Sequence, residues 1–391
     1  MSTTTVQQIM RIGYADFERN HPLPSHVRGA AHKIMTCRTA ALGGHVQSCP
    51  DGHFQRHWYN SCKHRSCPQC ASIQIERWLL KQKAKLLDCP HYHTIFTMSH
   101  DLNPLWLQNV GIMTKLFFQA VKETLYAFFD NPRHLGARPG IISALHTWNQ
   151  ALELHPHLHC LITGGGLTSN GQWTDVKNGY LLPVRAVMVK FRGKMLSFVD
   201  AALKNDHLQL PKGVTWQEWS RLKRKMWRQK WNVNIRQRYD HGNGVATYLA
   251  RYLRGGPIKN NRILSCTSKE VSFHYRINGD QDKDNQRGSM TLKTGDFIQR
   301  YLLHIPNPRT KLVRYWGIYA PTSYKKLNCC REHLNQKPFS SSNELLDWQS
   351  YCEKIGDKHP ELCPVCGRRL TILKILLPER SKTFHNLKIA A

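Results

Sequence analysis

Acidic residues are scarce in this chain of 391 residues. Asp and Glu together number 26, whereas Lys and Arg number 56, which gives a formal net charge of +30. An excess of this size stores self-repulsion in the compact state, and a polyanionic partner relieves it. Because phosphate contacts supply most sequence-independent affinity, the charge predicts nucleic acid as the partner.

Long apolar stretches are also missing. The chain has no run of about 18 apolar residues and no amphipathic Lys-rich anchor, which argues against a membrane partner. The first 20 residues lack a basic start followed by an apolar stretch, so no secretory signal is visible. We therefore expect a cytoplasmic protein that binds nucleic acid, with no membrane partner and no small-molecule substrate.

Cysteine is abundant by contrast, and its distribution is uneven. Of 13 cysteines, five lie between Cys37 and Cys70. In a reducing cytosol this clustering indicates metal ligands rather than disulfides. Cys67 and Cys70 form a CxxC turn whose two thiolates can bind one tetrahedral zinc ion. The candidate zinc ligands of this region are Cys37, Cys49, His53, Cys62, Cys67 and Cys70.

The assignment of four ligands among these candidates stays open. Cys49 and His53 supply a second pair, which gives the pattern C-x3-H-x13-C-x2-C, close to zinc-ribbon spacing. The two remaining cysteines either replace a member of this set or hold a second ion with His45 or His64. Basic residues flank the cluster, so we interpret the region as a DNA-binding element rather than a catalyst.

Another CxxC pair, Cys363 and Cys366, stands near the end of the chain in the motif CPVCG. The sequence leaves open whether Cys329, Cys330 and Cys352 join this pair in a zinc site.

The segment HPHLHCLITGGG is typical of a strand that ends at three glycines. Alternate residues of a strand share a face, so the imidazoles of His155, His157 and His159 are expected to point together. The residues between and after them are expected to enter the core: Leu158, Cys160 and Ile162. A divalent cation on paired imidazoles could polarise a scissile phosphate. The candidates for a third ligand are His146, Gln150 and Glu153.

The segment ATYLARYLRGGPI is typical of a helix that stops at Gly255–Pro257. Tyr248 and Tyr252 are four residues apart and lie on one face of that helix, roughly 6 Å apart at Cβ. Arg251 and Arg254 add cations that stabilise phosphate or phenolate. A phenolate that attacks a phosphodiester forms a phosphotyrosine and conserves bond energy for rejoining. The alternative is an amphipathic helix that buries two phenols.

A basic and aromatic stretch extends from Trp216 to Tyr239. Cations can follow a phosphate backbone while exposed rings stack on unpaired bases. Trp219, Trp227 and Trp231 have near-helical spacing, so some of these rings are expected to face the core. The candidate DNA-binding residues, including two from the tyrosine helix, are Arg221, Lys223, Arg224, Lys225, Arg228, Lys230, Arg251 and Arg254.

In order, these segments resemble the rolling-circle transposases of the insertion-sequence-91 family, part of the HUH endonuclease superfamily. The segments that carry the resemblance are CRTAALGGH, YNSCKHRSCPQC, HPHLHCLITGGG, YLARYLRGGPI, FIQRYLLH, VRYWGIYA and CPVCG. Their ordered combination covers most of the chain and is more specific than any one motif. The resemblance implies cleavage of one DNA strand at the element's end, a 5′-phosphotyrosine and a free 3′-hydroxyl.

The resemblance also implies roles for particular residues. His157 and His159 would bind a catalytic Mg²⁺ or Mn²⁺, and Tyr248 and Tyr252 would be the nucleophiles. Single-stranded DNA at transposon ends and at the target site would be the partner, and an N-terminal domain would hold structural Zn²⁺. The family pattern has a second cysteine near position 52, where this chain has Gly52 followed by the histidine already considered.

The expected fold class is α+β. We expect an N-terminal zinc-ribbon-like module, followed by an HUH-type catalytic domain with a central antiparallel sheet and a tyrosine-bearing helix. The expected domains are a zinc-binding and DNA-binding domain at 1–90, a two-tyrosine transposase catalytic domain at 91–320, and a C-terminal extension with CPVCG at 321–391. Periodicity shows only a mixed α/β chain, and the sheet topology comes from the resemblance.

Two alternatives remain. A replication initiator or relaxase uses the same chemistry in another role. A non-catalytic zinc DNA-binding regulator would use both the histidine strand and the tyrosine helix as core elements.

Overall fold

The computed structural model describes residues 4–240, 247, 255–276, 287–340, 347–354 and 360–379. The helices of these residues are α1 (Val6–Asn20), α2 (Ser25–Thr36), α3 (Ala71–Lys85), α4 (Asn103–Gln108), α5 (Val110–Phe129), α6 (Val184–Lys204), α7 (Trp216–Arg228), α8 (Thr294–Leu303), α9 (Tyr324–His333) and α10 (Trp348–Lys354). No helix within this described part combines the length and apolarity needed to cross a bilayer.

The strands of the described residues are β1 (Gly44–Ser48), β2 (Gln55–Tyr59), β3 (His91–Thr97), β4 (Arg138–Trp148), β5 (Leu154–Leu167), β6 (Trp173–Asp175), β7 (Asn232–Tyr239), β8 (Ile263–Cys266), β9 (Glu270–Arg276), β10 (Arg287–Lys293), β11 (Val313–Gly317) and β12 (Thr371–Leu376). All of their pairings are antiparallel. This mixture of helices and antiparallel sheet confirms the predicted α+β class.

The chain folds into two compact units. The first unit comprises Met1–Arg77, Arg254–Ile305 and Glu344–Ala391, and the second comprises Trp78–Leu253 and Pro306–Asn343. The CPVCG segment therefore clusters in space with residues from the beginning of the chain. The two units are defined by contacts in space, whereas the three predicted domains are consecutive ranges of the sequence. That three-domain division stays a prediction.

The first unit contains α1, α2, α8, α10 and the beginning of α3. Thr5 begins α1 with a capping box, because its hydroxyl accepts from the Gln8 backbone and the Gln8 side chain accepts from the Thr5 backbone. Gly13 permits a close approach to α8, since a Cβ at this position would lie 2.6 Å from Cγ2 of Thr294 and 2.9 Å from Cδ1 of Ile298. A larger residue at position 13 would push the two helices apart.

Two three-stranded sheets complete the first unit, with strand orders β12-β1-β2 and β10-β9-β8. In the first of them, Gly44 lies opposite Tyr59 of β2 and opposite Leu376 of β12. Strand β12 thus comes from the far end of the described chain to pair with β1.

The second unit contains a sheet of order β11-β4-β5-β3-β7, with β6 paired to β5. Helices α5 and α6 pack on one face of this sheet. Leu158, Cys160 and Ile162 of β5 are fully buried in the same core as these helices. Their alternate neighbours on β5 point to the other face, as the sequence predicted. The sheet therefore separates an apolar core from a face that carries histidines.

Phe191 of α6 lies at the centre of that core. Its ring centroid is 5.2 Å from Phe96, 5.9 Å from Phe117 and 5.5 Å from Trp231. Because this side chain is fully buried, Phe191→Ala should lower the free energy of unfolding of the second unit by about 3–5 kcal/mol. Urea denaturation followed by tryptophan fluorescence measures the change. Val189→Ala is the control on the same helix, since Val189 is 47% exposed, and an equal loss in both variants would refute this packing role.

Candidate active site

Three imidazoles meet where β4 lies beside β5. The ligand nitrogens of His146, His157 and His159 all lie within 4.8 Å of one another. The last two are alternate residues of β5, and His146 on β4 lies directly opposite His157 in the strand register. Of the three candidates for a third ligand, His146 is the one that the structure brings to the predicted pair.

Backbone and side-chain hydrogen bonds orient two of these rings. His157 Nδ1 lies 2.7 Å from the carbonyl oxygen of His155. A carbonyl only accepts, so Nδ1 carries the proton and Nε2 carries the lone pair that a metal needs. His159 Nδ1 lies 2.8 Å from Nε2 of His93 on β3. A metal on Nε2 of His159 would therefore leave its Nδ1 proton for His93 to accept, an arrangement common around metal-binding histidines.

Burial favours the neutral form of two of these imidazoles, His146 and His157. It lowers the pKa of His157 to about 4, and burial together with the neighbouring His157 and His93 lowers the pKa of His146 well below its ordinary value. Neutral imidazole is the form that binds a cation. A donor set of three imidazoles, of which His146 and His157 are held neutral, therefore fits a divalent metal.

His155, the first histidine of the strand motif, lies outside this group of three. Its Nδ1 is 2.7 Å from Nε2 of His100, and its ring centroid is 5.1 Å from that of His157. His93 was missed by the sequence reasoning. Its alternation with His91 on a short strand was a signal, but both the pairing of β3 with β5 and its register were needed to place it beside His159.

The predicted nucleophiles Tyr248 and Tyr252 lie outside the described residues, as do Arg251 and Arg254. The structure does describe the segment Gly255–Pro257, which was predicted to end the tyrosine helix. Gly255 and Gly256 both have positive φ, at 98° and 75°, the region that glycine occupies without strain. A Cβ on Gly256 would lie 2.4 Å from Oη of Tyr301 and 2.9 Å from the Ser66 carbonyl oxygen, so only glycine fits there.

A first cysteine cluster joins Cys37, Cys62, Cys67 and Cys70, whose sulfurs lie within 4.8 Å of one another. The sulfurs of Cys37 and Cys70 are 3.1 Å apart, and those of Cys62 and Cys70 are 3.5 Å apart. Four cysteines are the donor set of a closed structural zinc site. Cys37 and Cys62, which the sequence pattern left unassigned, therefore belong with the CxxC pair.

Cys49 and His53 form a different cluster, with Cys363 and Cys366 of the CPVCG segment. The single set of four ligands that the spacing suggested is thus divided between two clusters. Spacing in sequence could not show this division, because Cys363 and Cys366 lie more than 300 residues after Cys49 and His53.

Helix α7 carries the predicted basic surface. Its Thr215 capping box fixes the first turn, and Trp219 and Met226 anchor it in the core. Arg221, Arg224, Lys225 and Arg228 line a groove together with Gln229. Two lysines of α7 form ion pairs: Lys223 contacts Asp200 at 2.9 Å, and Lys225 contacts Asp101 at 3.1 Å.

The tryptophans of this stretch divide between core and surface. Trp219 and Trp231 are 3% exposed, whereas Trp227 is 43% exposed. The guanidinium of Arg192 lies 5.5 Å from the Trp227 ring centroid. Of these three rings Trp227 alone is exposed, and Trp216 at the start of α7 is exposed as well, at 53%.

Two family models match the chain. One, described as "Transposase zinc-binding domain", matches residues 9–98, and the other, described as "Putative transposase", matches residues 140–326. The first range contains the four-cysteine cluster, and the second contains the three-histidine cluster and α7.

Curated relatives agree with these models. The chain is 32% identical over 373 residues to "Putative transposase y4qJ" of Sinorhizobium fredii (strain NBRC 101917 / NGR234), covering 93% of each protein. It is 28% identical over 356 residues to the "Transposase for insertion sequence element IS801" of Pseudomonas savastanoi pv. phaseolicola, covering 86% of this chain and 81% of the relative.

These matches define a class, that of transposases with a zinc-binding domain. Within it, the chain belongs to the insertion-sequence-91 family. The solved structure of TrwC complexed with a 27-mer DNA is 14% identical and covers 41% of this chain and 73% of TrwC, with a TM-score of 0.22. A likeness that weak carries no argument about fold or activity.

Proposed function

We propose that this transposase nicks and transfers single-stranded DNA through a covalent 5′-phosphotyrosine, in rolling-circle transposition. The observation that carries the proposal is the meeting of His146, His157 and His159 on the polar face of the central sheet. Three imidazoles that converge on one point are a poor way to fill a core, but they are a suitable set of ligands for a catalytic cation.

The chain's own residues would perform the following steps. The three imidazoles hold a Mg²⁺ or Mn²⁺, which when bound polarises the scissile phosphate and spreads its negative charge. His93 orients His159 through the 2.8 Å contact between their nitrogens. The phenol of Tyr248 or Tyr252 gives up its proton and its oxygen attacks phosphorus, the bond from phosphorus to the 3′-oxygen breaks, and that oxygen takes up a proton from solvent.

The second tyrosine would receive the other strand. A 5′-phosphotyrosine keeps the energy of the broken phosphodiester, so the later attack by a 3′-hydroxyl rejoins DNA without an external energy source. Two tyrosines permit two such transfers in succession. This requirement for two transfers distinguishes transposition from a single nick.

A denaturing-gel assay tests the proposal. Purified protein is incubated with Mg²⁺ or Mn²⁺ and labelled single-stranded oligonucleotides that include the ends of the element. We expect a labelled band that migrates with the protein and disappears with EDTA. Tight binding without a covalent band, for each metal and each end sequence, would instead favour a non-catalytic DNA-binding regulator.

DNA contact is proposed for the exposed arginines of α7. Replacing Arg221, Arg224 and Arg228 together by Gln should weaken binding of single-stranded DNA about equally for all sequences. Each lost phosphate contact lowers the salt slope by about 0.7, so the plot of log K against log salt should become shallower by roughly 2. Fluorescence anisotropy across a salt series measures both quantities.

A matched control removes the same charge elsewhere in the second unit. Arg309, Lys325 and Lys326 are exposed and lie away from α7 in sequence. Their replacement by Gln should leave the slope nearly unchanged. Equal changes in slope for both triple variants would mean that net charge, rather than the α7 groove, governs binding.

A further inference from the structure

The cluster of Cys49, His53, Cys363 and Cys366 extends beyond the residues that the zinc-binding family model matches. That model ends at residue 98 and contains only the first two of the four. We propose that these four residues bind a second structural zinc ion, which fastens the CPVCG segment to β1. The proposal concerns the fold of the first unit and does not depend on strand transfer.

The separations of the ligand atoms match a tetrahedral ion. The sulfur of Cys49 is 3.5 Å from that of Cys366 and 3.8 Å from Nδ1 of His53, and all four ligand atoms lie within 4.8 Å of one another. A zinc–sulfur bond of about 2.3 Å and a tetrahedral angle place neighbouring sulfurs about 3.8 Å apart. The side chains are therefore already arranged around one point.

Each pair of ligands is held by a tight turn. The Gly52 nitrogen donates to the Cys49 carbonyl at 3.0 Å, and the Gly367 nitrogen donates to the Cys363 carbonyl at 3.0 Å. Both glycines have positive φ, at 75° and 73°, which other residues rarely adopt. Two similar turns from opposite ends of the chain thus present their ligands to each other.

The backbone next to the ligands brings the two turns together. Ser48, which precedes the first ligand, pairs with Thr371 across β1 and β12. The Cys363 nitrogen donates to the Arg368 carbonyl at 2.7 Å, and the Arg368 guanidinium contacts Asp51 at 2.8 Å. The cluster therefore lies at the end of the sheet where the pairing of β1 with β12 begins.

Apolar packing contributes little to holding that outer strand. In β12, Ile372, Leu373 and Ile375 are 62%, 66% and 70% exposed. The small apolar cluster beside the ligands has Leu370 as its one buried residue other than cysteine within the described residues. Structural zinc ions supply folding free energy where the apolar core is too small. A zinc ion here would hold a strand that its own side chains do not anchor.

The zinc content of the full-length protein tests this proposal. After purification under reducing conditions, mass spectrometry of the metal should give two zinc ions per chain. The variant Cys363→Ser with Cys366→Ser should retain one. The control, Cys266→Ser with Cys329→Ser, should retain two, because neither of its cysteines belongs to a cluster in the described residues.

A second test compares two variants of His53, and it stays informative if one of them folds less completely. His53→Ala should lose the second ion, whereas His53→Cys should keep it, since a thiolate can replace the imidazole nitrogen in a tetrahedral site. Hydrogen exchange should show faster exchange of the β12 amides in His53→Ala and wild-type rates in His53→Cys. A general role in packing would not produce recovery by cysteine.

Two results would overturn the proposal. One is a wild-type chain that holds a single zinc ion and keeps it in the variant Cys363→Ser with Cys366→Ser. The other is a disulfide between Cys49 and Cys366 in the reduced preparation, detected by peptide mass mapping, because a bonded pair of sulfurs cannot serve as two thiolate ligands.

Discussion

The variant with both Tyr248→Phe and Tyr252→Phe is expected to form no protein-linked DNA. Each change removes only the hydroxyl that attacks phosphorus. Loss of a nucleophile typically lowers the rate by on the order of 10⁴–10⁶-fold, which is below detection on a denaturing gel. Binding of single-stranded DNA, measured by fluorescence anisotropy, should stay within about 3-fold of wild type, since the aromatic rings and all basic residues remain.

The single variants separate the two roles of the tyrosines. If two transfers occur in succession, each single variant should fail to complete the exchange of strands, even where one of them still gives a covalent band. Tyr180→Phe is the matched control, because Tyr180 is 61% exposed in the second unit and lies outside the histidine cluster. Protein-linked DNA from the double variant would show that the nucleophile is another residue.

The second large effect is expected at the histidine cluster. Replacing His157 and His159 together by Ala removes two of three imidazoles, and the remaining His146 cannot hold a divalent ion alone. Electrostatic stabilisation of the phosphate would be lost with the ion, so cleavage should fall by on the order of 10³-fold or more. Single-turnover cleavage in saturating Mn²⁺ measures the rate, and isothermal titration calorimetry measures Mn²⁺ binding.

His155→Ala is the control for that experiment. His155 is on the same strand, but its hydrogen bond goes to His100 rather than into the cluster. Its replacement should leave Mn²⁺ binding intact and change cleavage by less than about 10-fold. Cleavage at the wild-type rate by the variant lacking both His157 and His159 would exclude the proposed metal centre.

Local features of the sequence predicted many local parts of the structure. The predicted end of the histidine strand at the three glycines is wrong, because β5 continues through them to Leu167. Alternation along β5 correctly placed Leu158 in the core and His159 on the opposite face. Near-helical spacing indicated that some of the three tryptophans face the core, and Trp219 of α7 does, whereas the buried Trp231 lies beyond the end of that helix. These predictions succeeded because the period of a strand or helix is fixed by its own backbone.

The features that the sequence did not predict depend on pairing between distant segments. His146 was one of three candidates until the register of β4 against β5 placed it opposite His157. The ligand partners of Cys49 and His53 depend on the pairing of β1 with β12. Nothing in the spacing of residues within either segment specifies that pairing. The positions of the tyrosines stay a prediction, because they lie outside the described residues.

The pairing of β1 with β12 has a consequence for synthesis on the ribosome. Ser48 emerges long before Thr371, its partner across the sheet, and at about 5–20 residues per second the interval is roughly tens of seconds. During this time the edge of β1 that β12 will cover presents unpaired backbone groups. A copy of the gene interrupted by a stop codon before position 371 would yield chains that never cover this edge. Such chains should aggregate or be degraded even when their catalytic residues are intact.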